Sequence, residues 1–161
     1  FSDSEAEAIR RYYDYMIRYE NLFFDPELQD VTMTHTGWDN YEYQCTSHKV
    51  SSYGEAGKIW MILREKDYRK CIYLLNLCGQ SEDYWNEGKE EPNIQKDIKF
   101  TVQVDTPVEK ICFSTPDGKN MDAVELLFTE RATRTGKFID FTVPSLNYWT
   151  TIWIDTRKET I

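Results

Sequence analysis

Residues 58–77, KIWMILREKDYRKCIYLLNL, constrain the fold more than any other stretch of the chain. Two apolar runs, 59–63 and 71–77, flank the charged tetrad Arg64-Glu65-Lys66-Asp67. The second run is apolar at every position except Asn76. Runs of this length, rich in Ile, Tyr and Trp, predict the arms of a β-hairpin covered on both faces. The tetrad cannot be buried cheaply, so it is expected to be the solvated tip.

Ahead of the hairpin, residues 2–24 read as a helix. Ser2 with Glu5, and Ser4 with Glu7, both fit a capping box, and the two acids suit the positive end of the helix dipole. Ala8, Ile9, Tyr12, Tyr13, Met16, Ile17, Tyr19, Leu22 and Phe23 follow at helical spacing. Asp25-Pro26 should end the helix, because the residue before a proline avoids helical geometry. Tyr12 and Tyr13 are adjacent, as are Met16 and Ile17, so the apolar arc is wide and predicts more than one packing neighbour. A single sandwich would cover only one side of it. Tyr12, Met16, Tyr19 and Phe23 are therefore expected to meet a preceding domain, and to leave an apolar patch that drives dimerisation when the chain stands alone.

Beyond a short linker at 27–30 the pattern changes to strands. Residues 31–35 alternate with a period of two, 37–40 form a turn, and 41–50 make a second strand with Tyr41, Tyr43 and Cys45 on one face. Residues 51–57 are a loop with two glycines. The longest break is 79–97, which holds Gly79, Gly88, Pro92, Tyr84, Trp85 and many charges. Loops of such length in a compact domain are usually functional or mobile. Strands are expected at 98–104, 109–114, 123–130, 137–143 and 148–154. Turns fall at Asp117-Gly118 and Thr135-Gly136, and Pro144 and Asn147 break the run before the last strand. The expected fold is mostly β: an antiparallel β-sandwich of about eight or nine strands preceded by one N-terminal α-helix. Residues 1–30 make the helix and linker, and 31–161 the sandwich.

At 161 residues the chain can bury a core without staples. Its net charge of −9 disfavours nucleic-acid and anionic-membrane partners, and no apolar run approaches membrane-spanning length. The chain opens on Phe1 rather than Met and is expected to be a piece of a longer protein. Cys45, Cys71, Cys78 and Cys112 show no CxxC pair and no metal spacing. Cys71, Cys78 and Cys112 sit in apolar runs, as buried inert thiols do. No cofactor or metal is expected.

Catalytic signatures are missing. Asp39 with Glu42, or Glu82 with Asp83, could be named as an acid/base pair, but sequence neighbours in a turn rarely face each other across a cleft. His35 and His48 read as surface or strand-edge residues. Trp60, Trp149 and Trp153 lie in apolar runs and read as core. Trp38 and Trp85 lie among Asp, Asn and Glu. With Tyr84 they are candidates for carbohydrate contact, because an exposed ring can pack on the C–H face of a sugar; the competing reading is a plug against a neighbouring domain.

Three segments together resemble glycoside hydrolase family 66, the dextranases and cycloisomaltooligosaccharide glucanotransferases. YYDYMIRYENL at 12–22 is similar to the helix that closes the family's catalytic barrel. IWMILREKD at 59–67 with LLNL at 74–77 is similar to a hairpin of the β-sandwich that follows the barrel, and DYWN at 83–86 and PSLNYW at 144–149 to later landmarks of that region. The resemblance implies a C-terminal accessory sandwich that caps and buttresses the barrel. The parent would be a retaining enzyme on α-1,6-glucan, secreted, periplasmic or at the cell surface. The family's catalytic Asp and Glu belong to the barrel and match no residue here, so no catalytic residue is carried over. The alternatives are a carbohydrate-binding module contacting α-glucan and an interaction domain of an unrelated surface protein.

Overall fold

In the computed structural model, which describes residues 2–35 and 40–158, the chain begins with helix α1 (Asp3–Arg18) and a short continuation α2 (Glu20–Phe23). Strand β1 (Gln29–Asp30), helical turn α3 (Thr32–His35), β2 (Tyr43–Cys45) and β3 (Val50–Ser51) lead into β4 (Ile59–Lys66) and β5 (Arg69–Asn76). Then come β6 (Gln95–Gln103), β7 (Val108–Ser114), β8 (Val124–Leu126), β9 (Phe128–Thr133), β10 (Gly136–Leu146) and β11 (Trp149–Thr156). The larger sheet runs β1-β4-β5-β11-β7-β8, with β3 also beside β4, and the smaller runs β2-β6-β10-β9. Among the described residues, every pairing is antiparallel except β3 with β4. The expected mostly-β, antiparallel two-sheet fold behind one N-terminal helix is what the chain adopts.

The hairpin is covered on both faces, as its two unbroken apolar runs demand. Ile59, Met61, Leu63, Ile72 and Leu74 turn toward the smaller sheet, where they meet Ile98, Phe100, Val102, Ile139, Phe141 and Val143. The alternate residues Cys71 and Tyr73, with Trp153 and Cys112 from neighbouring strands, lie under Tyr15, Tyr19 and Leu22 of the helical segment. The central sheet therefore separates two cores, and the helix supplies the second. Buried Asn76 fits because its amide is used in full. It donates to the carbonyls of Asn93 and Asn147, each at 2.8 Å, and accepts the Cys78 N–H at 3.0 Å.

Several boundaries differ from expectation, each for a local reason. The hairpin tip is Asp67-Tyr68, with Tyr68 at φ 66°, and Arg64, Glu65 and Lys66 belong to β4. Those three charges are half-buried because each finds partners. Arg64 reaches main-chain carbonyls, Glu65 reaches Tyr43 and Lys70, and Lys66 reaches Asp25 at 2.5 Å. The segment 31–35 is a helical turn instead of a strand. Asp30 Oδ1 accepts the Thr32 N–H at 2.8 Å, and Val31 O accepts the N–H groups of Thr34 and His35. Side-chain bonds of this kind compete with a strand ladder. Gln29–Asp30, expected as linker, pairs with Arg64 and Glu65 as β1. Of the expected strand 41–50, residues 43–45 form β2 and Val50 opens β3, which runs one residue into the expected loop. The expected strand 123–130 splits at Leu127, which is 95% exposed where the chain crosses from one sheet to the other. Pro144 lies within β10; β9 pairs with β10 only as far as Phe141, so that edge needs no donor at Pro144. The turn expected at 37–40 lies mostly outside the described residues.

Candidate interaction surfaces

Ser2 caps α1 through a complete capping box with Glu5, as the sequence predicts. The helix then lays one side on the larger sheet. Tyr15 is fully buried, edge-on to Trp149 with ring centroids 5.1 Å apart, and its hydroxyl lies 2.7 Å from Ser114 Oγ. Burial pushes the Tyr15 phenol up to about 12 despite that hydrogen bond. Tyr19 packs on Trp153, and Phe23 on Tyr73 and Trp149. Tyr12 stacks on Trp149 and donates to Asp117 Oδ1. The other Asp117 oxygen accepts the N–H groups of Tyr148 at 2.9 Å and Trp149 at 2.7 Å. Asp117 thus holds helix, turn and the start of β11 together. In the sequence it is legible only as a turn residue.

Three of the four helix residues expected to face a preceding domain face the chain's own sheet instead. Tyr12, Tyr19 and Phe23 are spent on the chain's own sheet, and Met16 is half-buried. The arc is nevertheless as wide as its spacing implies, and its uncovered part is Ile9, Tyr13 and Ile17, four residues apart along one outward stripe. Tyr13 is 61% and Ile17 67% exposed. The helix has two apolar sides, and its own sheet uses one.

The second surface is the long break between β5 and β6. Tyr84 and Trp85 are both exposed there, while Trp38 lies outside the described residues. Of the tryptophans expected as core, Trp153 is buried, and Trp60 and Trp149 are half-buried on the helix side of the sheet. Lys89 holds the Glu82 carboxyl below the usual range, and that carboxyl also accepts the Tyr84 N–H at 2.6 Å. Asp39, of the other weighed pair, is outside the described residues. His35 and His48 bond the neighbouring hydroxyls of Thr34 at 2.8 Å and Ser47 at 2.6 Å. All four thiols are free, and burial pushes Cys71 up to about 11.

A polar cluster at the sandwich flank ties the two sheets. Glu65 accepts the Tyr43 hydroxyl at 2.6 Å and the Lys70 ammonium at 2.7 Å, and His35 Nε2 lies 4.0 Å from it. Burial alone would raise the Glu65 carboxyl. Lys70 and Tyr43 outweigh burial and hold it below the ordinary glutamate value. A depressed folded-state value means a contribution present above the unfolded value of about 4.3 and lost as pH falls through the folded one. Urea midpoints measured from neutral pH downward should therefore fall less steeply in Glu65→Gln than in the parent chain. Parallel curves would refute this.

The architecture defines a class: an antiparallel β-sandwich with a helix packed on the outer face of its larger sheet. The sequence model of glycosyl hydrolase family 66 matches residues 1–153, and the chain belongs to that family. It is 29% identical over 153 residues to a cycloisomaltooligosaccharide glucanotransferase of Niallia circulans, covering 94% of this chain and 15% of that protein. A second glucanotransferase of that name and organism is 25% identical over 149 residues, again with 15% of its length matched. The chain thus spans about 15% of the length of these curated relatives. The crystal structure of a Paenibacillus cycloisomaltooligosaccharide glucanotransferase, complexed with cycloisomaltoheptaose, superposes with a TM-score of 0.78 at 22% identity. It covers 91% of this chain and 20% of that one, and shows that the fold is shared.

Proposed function

We propose that this chain is a non-catalytic accessory β-sandwich of a glycoside hydrolase acting on α-1,6-glucan, and that it packs against and stabilises the catalytic barrel of the same polypeptide. The observation that carries the reading is the outward stripe Ile9-Tyr13-Ile17 on a helix whose other side is fixed to its own sheet. A rigidly held apolar stripe left in water favours association over solvation, at about 25 cal/mol per Å² covered. Two further observations agree. The matched relatives carry most of their length outside the region this chain resembles. Glu82, one of the carboxylates named as a possible acid, is held low by Lys89, where a general acid needs a raised value.

Two measurements test the reading. Purified alone, the chain should release no sugar from dextran; turnover that survives repurification would overturn the non-catalytic part. The chain alone should also self-associate at millimolar concentration in sedimentation equilibrium, and the double substitution Tyr13→Glu, Ile17→Glu should return it to monomer without loss of β-sheet circular dichroism. A parent chain already monomeric at that concentration, and binding no apolar dye, would remove the docking stripe.

A further inference from the structure

Packing through the helix leaves the 79–94 loop without a role. This loop is a closed body. The Asn93 N–H donates to Cys78 O at 3.0 Å, Gln80 Nε2 to Glu90 O at 2.8 Å, and Asn76 Nδ2 to Asn93 O at 2.8 Å, so its base is fastened to the sandwich. Inside it, Glu82 takes both the Lys89 ammonium and the Tyr84 N–H. Between its arms lies an open cavity of about 460 Å³, lined by Gln80, Ser81, Glu82, Tyr84, Glu87 and Glu90 among others. It is a surface groove open to solvent, and Trp85 is not one of its lining residues. Tyr84 is 65% exposed and its neighbour Trp85 is 94% exposed.

The lining decides the ligand class. The loop carries Glu82, Asp83, Glu87, Glu90 and Glu91 against Lys89 alone, and Lys89 is already paired. An anion would meet like charge in a site with no free cation. A purely apolar ligand would strip water from carboxylates and give nothing back. A neutral, hydroxyl-dense molecule meets both halves of the surface: its O–H groups donate to carboxylate and amide oxygens, and its C–H faces pack on the two rings. We propose that the 79–94 loop binds a neutral oligosaccharide, with Tyr84 and Trp85 as stacking faces and Glu82, Glu87 and Glu90 as hydroxyl acceptors. This goes beyond the accessory reading, because the loop shares no residue with the helix stripe.

Isomaltotriose and maltotriose, titrated separately into the chain, should show saturable heat by calorimetry for at least one of the two. Trp85→Ala and Tyr84→Ala should each weaken that binding about tenfold, the weight of one aromatic contact. Both rings are exposed, so circular dichroism of the variants should match the parent. Dextran sulfate, as the anionic control, should not bind. Silence with both trisaccharides at tens of millimolar, variants within twofold of the parent, or equal binding of dextran sulfate would each overturn the proposal. Self-association through Tyr13 and Ile17 is read separately and does not depend on these results, so loss of the sugar site leaves the accessory reading standing.

Discussion

Tyr15→Ala should cost the fold about 3–5 kcal/mol, the range for deleting a fully buried aromatic side chain from a packed core. Tyr15 is the centre of the second core. Its ring touches Tyr19, Phe23 and Trp149, and its hydroxyl reaches Ser114 on β7. Removing it opens a void that the aromatic rings around it, held on two separate elements, cannot close together. Urea denaturation measures the total loss. A second readout locates it: Cys71 and Cys112 lie beneath the helical segment, and burial holds both thiols protonated at neutral pH. Labelling of these thiols by an aromatic disulfide should be slow in the parent and should accelerate in Tyr15→Ala under conditions where the sandwich is still folded. Tyr15→Phe keeps the ring and loses only the hydroxyl, so it should cost about 1–2 kcal/mol. A Tyr15→Ala variant within 1 kcal/mol of the parent, on the scale for typical substitutions, would mean the helix is not anchored where its ring contacts place it.

Much of this arrangement was legible in the residues, because periodicity reports burial directly. The unbroken apolar runs at 59–63 and 71–77 required two covered faces, and the two cores supply them. The wide arc of α1 predicted more than one packing neighbour, and the chain's own sheet is one. What periodicity could not say was which side of that arc the sheet would claim. Tyr12, Tyr19 and Phe23 lie within one helical side, whereas Ile9, Tyr13 and Ile17 lie on another, and both are apolar. Choosing between them depends on where Trp149 and Trp153 stand, more than a hundred residues later. Asp117 was invisible as an anchor for the same reason: its partners Tyr12, Tyr148 and Trp149 are remote in sequence. The charged tetrad misled in the opposite direction. Arg64 and Glu65 have the composition of a solvated tip, and only their distant partners make half-burial tolerable. The loop aromatics Tyr84 and Trp85 were readable as candidates because they stand among carboxylates, but the cavity beside them is a product of how the loop closes.

Arg64→Met should destabilise the helix–sandwich junction by about 3 kcal/mol, nearly as much as the loss of Tyr15. Arg64 has no carboxylate partner in the hydrogen bonds it makes here. Its guanidinium donates instead to three main-chain carbonyls: Phe23 O at 2.9 Å, Leu28 O at 2.9 Å and Asp25 O at 3.3 Å. These carbonyls lie at and just beyond the end of α2, where the helix leaves acceptors without intrahelical donors. A guanidinium suits the place for two reasons. It is a fan of donors that can serve several acceptors at once, and its positive charge sits at the negative end of the helix dipole. Methionine keeps most of the apolar stem, so the variant isolates the loss of the donors from the loss of packing. Arg64→Lys retains the charge but not the fan, and one ammonium cannot meet three carbonyls in this geometry as well; it should recover less than half of the lost stability. Amide exchange gives the local signature. Protection of the 20–30 segment and of β1 should fall in Arg64→Met while β10 and β6 keep theirs. Full recovery by lysine would show that charge at the helix end is what matters, and uniform loss of protection would show that the junction and the sandwich melt as one unit.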